Sequence, residues 1–332
     1  QPRYDFVRAF VASDLMHKTD ELIAHPDFTI DDYRQLLRDE LELADRLIQS
    51  FGVYQDKLID PEEREKTDDM SFTQQHYGNL FKDFDPYHYY EEPYELLKQR
   101  LDRNGIEIDG AENMVALDYG CGGGRYTLAL QKLGFKKVVG MDFSEINIQT
   151  ARERAKAKGI DNVEYVLGNV LENPFEDEQF DFVFCNGVLH HSRSIPKGIA
   201  EMVRVMKPGA YGWLYLINKP CGVHWDSVEI LRNVMKGVSQ QYARRVLRTL
   251  GVPENKVFYI LDHIMVPINT LSSNEEIISM LRDQGIEEVR FLERGTDFDN
   301  VEKVYRLKQE RPDDDELEWK FGCGELRHWF RK

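Results

Sequence analysis

Residues 115–126 read VALDYGCGGGRY: a short apolar run ending on Asp118 and Tyr119, three glycines at alternate positions (Gly120, Gly122 and Gly124), and a helix start near Arg125. A strand that turns tightly into a helix opens a βαβ unit, and glycines there let the backbone pass close beneath a ligand. Counting from Gly120, the third glycine of a G-x-G-x-x-G loop would fall on Arg125, and no Gly-Lys-Ser/Thr follows. Pyrophosphate-binding and P-loop readings are therefore weak. The bland alternative is a glycine-rich turn with no ligand.

The surrounding pattern extends this unit into a sheet. From Met114 the chain alternates short apolar runs with helical stretches of roughly ten to fifteen residues, the signature of a parallel α/β sheet. The predicted strands are MVALDY, KVVGMD, VEYVLG, FDFVFCN and YGWLYLI, followed later by EEVRFLER and GELRHWFRK. The second strand ends at Asp142, 24 residues beyond Asp118 (142 − 118). In a βαβ unit that carboxylate reaches the cleft beside the glycine turn, where it can accept both hydroxyls of a ribose. An Asp after a strand can also be only a helix N-cap.

The regions flanking this core read as helical. Between Tyr4 and Gly52 apolar residues recur at helical spacing (Tyr33, Leu36, Leu37, Leu41, Ala44, Leu47, Ile48), with Thr29 as N-cap and Gly52 as a stop. Residues 56–69 are a charged linker, and Tyr77, Phe81, Phe84, Tyr87, Tyr89, Tyr90 and Tyr94 follow as an aromatic approach to the core. Between Pro220 and Pro267 the sheet pattern is interrupted by helical runs, SVEILRNVMKG and QQYARRVLRTLG, read as a lid. Ser273 and Glu276 have the spacing of a capping box, and Gly285 ends that helix. The expected divisions are 1–70 (N-terminal helical region), 71–219 (α/β core), 220–267 (helical lid or substrate insertion) and 268–332 (C-terminal part of the core).

Composition narrows the function. With 332 residues, 42% of them hydrophobic, the chain can bury a substantial core. A formal charge of −16 disfavours nucleic acid as partner. Cys121, Cys185, Cys221 and Cys323 are scattered without a C-x-x-C pair, which speaks against both disulfides and structural zinc. No apolar run of about 18 residues and no signal-like start occur, so a soluble, cytoplasmic protein without a membrane partner is expected. The absence of an initiator Met suggests a trimmed chain. The acidic stretches at Asp313–Glu318 and Glu172–Glu178 read as solvated surface.

The D-x-G-x-G-x-G pattern of Asp118, Gly120, Gly122 and Gly124 resembles motif I of the class I S-adenosylmethionine (SAM) methyltransferases. The resemblance continues through VEYVLGNVLENPF and through EMVRVMKPGA, spanning about half the chain. It implies a doubly wound, mostly parallel seven-stranded sheet of Rossmann-like type, with an N-terminal helical region and a helical insertion after the fifth strand. It also implies SAM as cofactor and S-adenosylhomocysteine as product, with Asp118 helping to hold the methionine amino group and the glycines carrying the methionine portion. Phe143 then flanks the adenine, Asn169 stands where the family has an acidic residue and offers its side-chain carbonyl to the adenine amino group, and Val170 lies at the adenine edge. Asn186 and Gly187 sit at a strand's carboxyl end, which faces the crevice.

Methyl transfer from a sulfonium is an in-line displacement whose main requirement is alignment without water. Where the acceptor carries a proton to be removed, His190 or His191 is the candidate base; alternatively, one packs on the sheet and the other caps a helix. Tyr77 is the aromatic assigned to the methionine end, with Tyr90, Trp225 and His191 as acceptor contacts, set against ordinary core packing of these aromatics. The expected function is methylation of a small-molecule acceptor, with homodimerisation left open. The competing readings are a protein methyltransferase and a SAM-binding partner module without catalysis.

Overall fold

The computed structural model describes residues 4–51, 84–219, 222–292, 307, 310–322 and 325–332. The chain divides into two compact units, one made of Gln1–Asp68, Pro220–Val266 and Lys303–Cys323, the other of Asp69–Lys219, Pro267–Glu302 and Gly324–Lys332.

In the second unit the seven apolar runs form one seven-stranded sheet: β1 (Val115–Tyr119), β2 (Lys137–Asp142), β3 (Val163–Leu167), β4 (Phe180–Asn186), β5 (Met206–Ile217), β6 (Val289–Phe291) and β7 (Glu325–Arg331). Their order is β3-β2-β1-β4-β5-β7-β6. The first five are parallel, and β7 runs antiparallel between β5 and β6. The order reverses between β1 and β4, and such a switch point opens a crevice at the carboxyl ends of the strands. Helices cover both faces, as the near-continuous apolar runs of a parallel sheet require. On one side Leu97, Leu101, Ala129, Leu130, Phe182, Phe184 and Trp213 pack together; on the other, Leu214 and Leu216 meet Ile199, Met202, Ile277 and Leu281. Phe182 and Phe184 are at most 1% exposed, and each such burial contributes about 1.5–3 kcal/mol. The capping box of Ser273 and Glu276 forms reciprocally.

The first unit is helical: Asp5–Ile23, Ile30–Phe51, Val223–Met235, Gln240–Thr249, Glu254–Met265 and Glu316–Phe321. Thr29 caps the second helix as its sequence predicts, with Asp32 returning the bond to the Thr29 amide; Gly52 lies outside the described residues. The N-terminal helices and the insertion, expected as separate regions, share this unit. Leu307 and residues 310–322 belong with them, because Leu307, Leu317 and Phe321 pack with Ile23, Phe28, Tyr33 and Val223. Arg8 donates to the carbonyls of Val234 and Lys236 at the end of the Val223–Met235 helix, where a cation opposes the helix dipole.

Candidate functional site

The glycine turn links β1 to the helix Arg125–Lys132, and Gly120, Gly122 and Gly124 have φ of 91°, 52° and 87°. An L side chain pays roughly 1–2 kcal/mol in that region. Two of these positions are also too crowded for a side chain. A Cβ on Gly120 would lie 2.4 Å from Val188 Cγ1, and one on Gly124 would lie 2.8 Å from Ala151 Cβ and from the Tyr165 hydroxyl. The turn is pinned from below: the amides of Gly120 and Cys121 both donate to the Met141 carbonyl, and the Tyr89 hydroxyl donates to the Gly123 carbonyl.

Two carboxylates flank this turn. Asp118, 3% exposed, accepts a 2.7 Å bond from the Thr127 hydroxyl. Gly140 makes room for this partner, since a Cβ there would come within 2.8 Å of Thr127 Oγ1. Burial pushes the Asp118 carboxyl up to about 7; the Thr127 hydroxyl opposes the shift and the charge of Asp142 adds to it. Asp142 is also raised by burial, against the pull of its hydrogen bonds. Its Oδ1 accepts from the Ser144 amide (2.9 Å) and Asn147 Nδ2 (3.1 Å), and its Oδ2 from the Gly122 amide (3.0 Å). A carboxylate offers about four lone-pair positions. These donors share the carboxylate with any ribose hydroxyl that reaches it.

The donor set fits SAM. The basic residue of the turn, Arg125, is engaged by the His88 carbonyl and Glu92, so the turn presents carboxylates. That chemistry suits a ligand bearing an ammonium, a sulfonium and a ribose, and it suits a pyrophosphate poorly.

At the neighbouring strand ends, Asn169 is exposed and its side-chain carbonyl accepts from the Leu171 amide at 2.8 Å, which leaves one lone pair for an adenine amino group. Val170 packs its side chain against the core, while its carbonyl accepts from the Tyr119 hydroxyl. Phe143 is half-buried at the end of β2. The Asn186 side-chain oxygen accepts from the Trp213 indole at 3.1 Å, satisfying a buried donor.

The turn Leu189–His191 follows β4. Its two histidines differ. His190 is 2% exposed, with its ring centroid 4.1 Å from that of His191 and 5.9 Å from that of Tyr215. His191 is half-buried, and its Nδ1 lies 2.9 Å from the Ile268 carbonyl. A carbonyl accepts only, so Nδ1 carries the proton and Nε2 is the basic nitrogen. His190 is thus the buried member of the pair, packed on two rings, and His191 the more accessible one.

The remaining site residues are Tyr77, Tyr90 and Trp225. Tyr77 lies outside the described residues. Tyr90, expected at the acceptor, donates its hydroxyl to the Arg154 carbonyl (3.1 Å) and lies under Lys158. Arg154 is ten residues past the N-cap Ser144 of the helix Glu145–Ala157, about 15 Å down its axis from the crevice end. Trp225 belongs to the core of the helical unit, 7% exposed and packed on His224 and His263. Its size and apolar face are satisfied by that packing.

Sequence reasoning missed Thr127, Tyr215, Glu325 and Arg327. The last three stand at alternate positions of YGWLYLI and GELRHWFRK, but only the pairing of these two strands brings them together. Among the described residues, no set of three His, Cys, Asp or Glu side chains could hold a metal, and no helix is long and apolar enough to cross a membrane.

Comparison with known proteins agrees with this geometry. The methyltransferase domain family matches residues 117–214, from β1 into β5. A demethylmenaquinone methyltransferase of Bacillus cytotoxicus is 29% identical over 177 residues, covering 53% of this chain and 70% of that protein. One from Bacillus cereus is 28% identical over the same shares. A solved SAM-dependent methyltransferase from Aquifex aeolicus aligns with 80% of this chain and 99% of its own, at 20% identity and a TM-score of 0.43. With the glycine turn and the two buried carboxylates inside the matched stretch, residues 117–214 form a methyltransferase domain, and the chain is similar to SAM-dependent methyltransferases.

Proposed function

We propose that the enzyme transfers the methyl group of SAM to a small-molecule acceptor by in-line displacement. The observation that carries this reading is the convergence, at the carboxyl ends of β1, β2 and β4, of two buried carboxylates with an imidazole whose proton is fixed on Nδ1. The cofactor, when bound, supplies an electrophilic methyl on a sulfonium. Asp118 balances the methionine ammonium, Asp142 accepts from the ribose, and the backbone of Gly120, Gly122 and Gly124 borders the methionine portion. Phe143, Val170 and Asn169 surround the adenine, with Asn186 at the β4 edge. His191 Nε2 takes the proton of a hydroxyl or ammonium acceptor, and His190 holds the His191 ring by an edge-on contact. A small acceptor is supported by the relatives that methylate demethylmenaquinone, at 28–29% identity, and by the net charge of −16, which disfavours nucleic acid.

Calorimetric titration with SAM and with S-adenosylhomocysteine, followed by turnover on a panel of quinols, phenols and amines, tests the reading. Micromolar binding of both and turnover on one acceptor class are expected. Absence of binding would overturn it, and turnover confined to protein acceptors would replace the small molecule with a protein substrate.

A further inference from the structure

The α/β unit contains a charged cluster that neither the cofactor turn nor the histidines account for. Because β7 is antiparallel to β5, its first residues lie at the carboxyl ends of the parallel strands. The register sets Asn186 beside Tyr215 and Tyr215 beside Arg327, a row of three across β4, β5 and β7. The Arg327 guanidinium lies 4.6 Å from the centroid of the Tyr215 ring, and Arg327 is 4% exposed. Glu325 holds both: it accepts a 2.8 Å bond from the Tyr215 hydroxyl and pairs with Arg327. A buried ion pair is costly to desolvate, so its retention calls for a purpose beyond packing. The other edge of Tyr215 meets His190, and Gly187 fits beneath them: a Cβ there would lie 3.1 Å from Tyr215 Cε1 and 4.0 Å from His190 Cε1. Gly187 also has φ of 78°, so the chain turns there in a conformation few side chains adopt.

The geometry points to Tyr215 as a positioning residue: clamped by Glu325 and Arg327, it fixes the His190 ring, and through His190 it fixes the orientation of His191. This rests on the reading of His191 as the proton acceptor. The clamp explains why His190 is buried while His191 is not. It sets one wall of the pair, and the carbonyls and amides of Ile268 and Thr270 set the other, since the Thr270 amide donates to the His190 carbonyl at 2.8 Å.

Nitrogen NMR of histidine-labelled full-length chain, with S-adenosylhomocysteine as the added probe, reads the tautomers without needing an acceptor. In the unaltered chain and in Tyr215→Phe, which keeps the ring, His191 is expected as a single Nδ1–H tautomer. In Tyr215→Leu the two nitrogens are expected to average as the ring becomes mobile. Should that variant fail to fold, Glu325→Leu, which removes both the acceptor of the Tyr215 hydroxyl and the partner of Arg327 while keeping the Tyr215 ring, is expected to broaden the same signals. A fixed Nδ1–H tautomer in every folded variant would overturn the proposal. Kinetics separate it from the underlying assignment. If Tyr215→Leu frees the tautomer while His191→Ala leaves kcat intact, the clamp stands and the base assignment fails. If the clamp and the base assignment both hold, Tyr215→Leu lowers kcat at constant KM for SAM and Tyr215→Phe restores it.

Discussion

The two units bury polar groups in opposite ways. In the α/β unit they sit at strand ends: Asp118 against Thr127, and Asp142 against three N–H donors. In the helical unit they form a belt between helices. There Asp20, His224 and Tyr259 line up, with the Tyr259 hydroxyl 3.1 Å from His224 Nε2 and Asp20 3.7 Å from Nδ1, and beside them Thr19, Ser227 and Tyr33 share hydroxyl bonds. The first arrangement follows from a local strand, turn and helix. The second exists only after segments some two hundred residues apart have met. One unit's chemistry is therefore written in contiguous motifs and the other's is not.

The largest expected effect tests whether the units are separately stabilised. Gly222, in the helical unit, has φ of 91° and ψ of 151°, a region occupied essentially by glycine alone. A Cβ would lie 2.4 Å from the Gly322 amide nitrogen and 2.6 Å from the Phe321 carbonyl carbon, both backbone atoms. Strain and overpacking together cost about 4 kcal/mol in Gly222→Ala. Hydrogen exchange should rise in peptides of the Val223–Met235 helix while SAM affinity is kept; an equal loss of affinity would mean that the two units unfold as one.

Within the α/β unit, His191→Ala is expected to slow turnover by about 100-fold or more, the scale of lost general-base catalysis, with SAM affinity unchanged in calorimetry. Loss of both would make His191 a structural residue like His190. Asp142→Ala should weaken SAM binding by about 1.5–3 kcal/mol, since it removes charge-assisted bonds to the ribose and to the turn itself.

Acidity should move the two units in opposite directions. Burial drives the His224 imidazole down from 6.5 to about 3, so the unfolded chain takes the proton first. The helical unit then loses stability as pH falls below 6.5. The Asp118 carboxyl is raised from 3.8 to about 7, so the folded state holds the extra proton. The cofactor-free α/β unit loses stability as pH rises across that window. SAM, a cation, favours ionised Asp118, so its affinity should fall by up to about tenfold per pH unit below 7, the limit for one linked proton. Calorimetry between pH 5.5 and 8 reads this, and a flat profile would mean that Asp118 stays charged throughout.

Most of the α/β unit was legible because its signals are local. All seven strands fall on apolar runs, and Asp118, the glycines and Asp142 fall on a turn and a strand end that their residue types announce. The carboxyl-end cluster of Tyr215, Glu325 and Arg327 was not, because it depends on a strand register set 110 residues away. The helices of the other unit were legible by period. Their partners were not, since Phe28 meets Trp319 and Phe321 across most of the chain.

The aromatic approach to the core yields the smallest effect and separates packing from function most cleanly. Tyr87–Glu91 forms a π-helical turn, and it buries Tyr89 under the glycine turn while sending Tyr90 to the Arg154 carbonyl. Aromatic density alone, read from sequence, does not distinguish these destinations, because both satisfy a ring and a hydroxyl. Tyr90→Phe removes one half-buried hydrogen bond and leaves the ring on Lys158, so it should cost about 0.5–1.5 kcal/mol of stability with no change in KM for the acceptor. Thermal melts and steady-state kinetics check the two halves. A rise in acceptor KM without loss of stability would return Tyr90 to the acceptor, against the anchoring that its hydroxyl makes three turns down the helix.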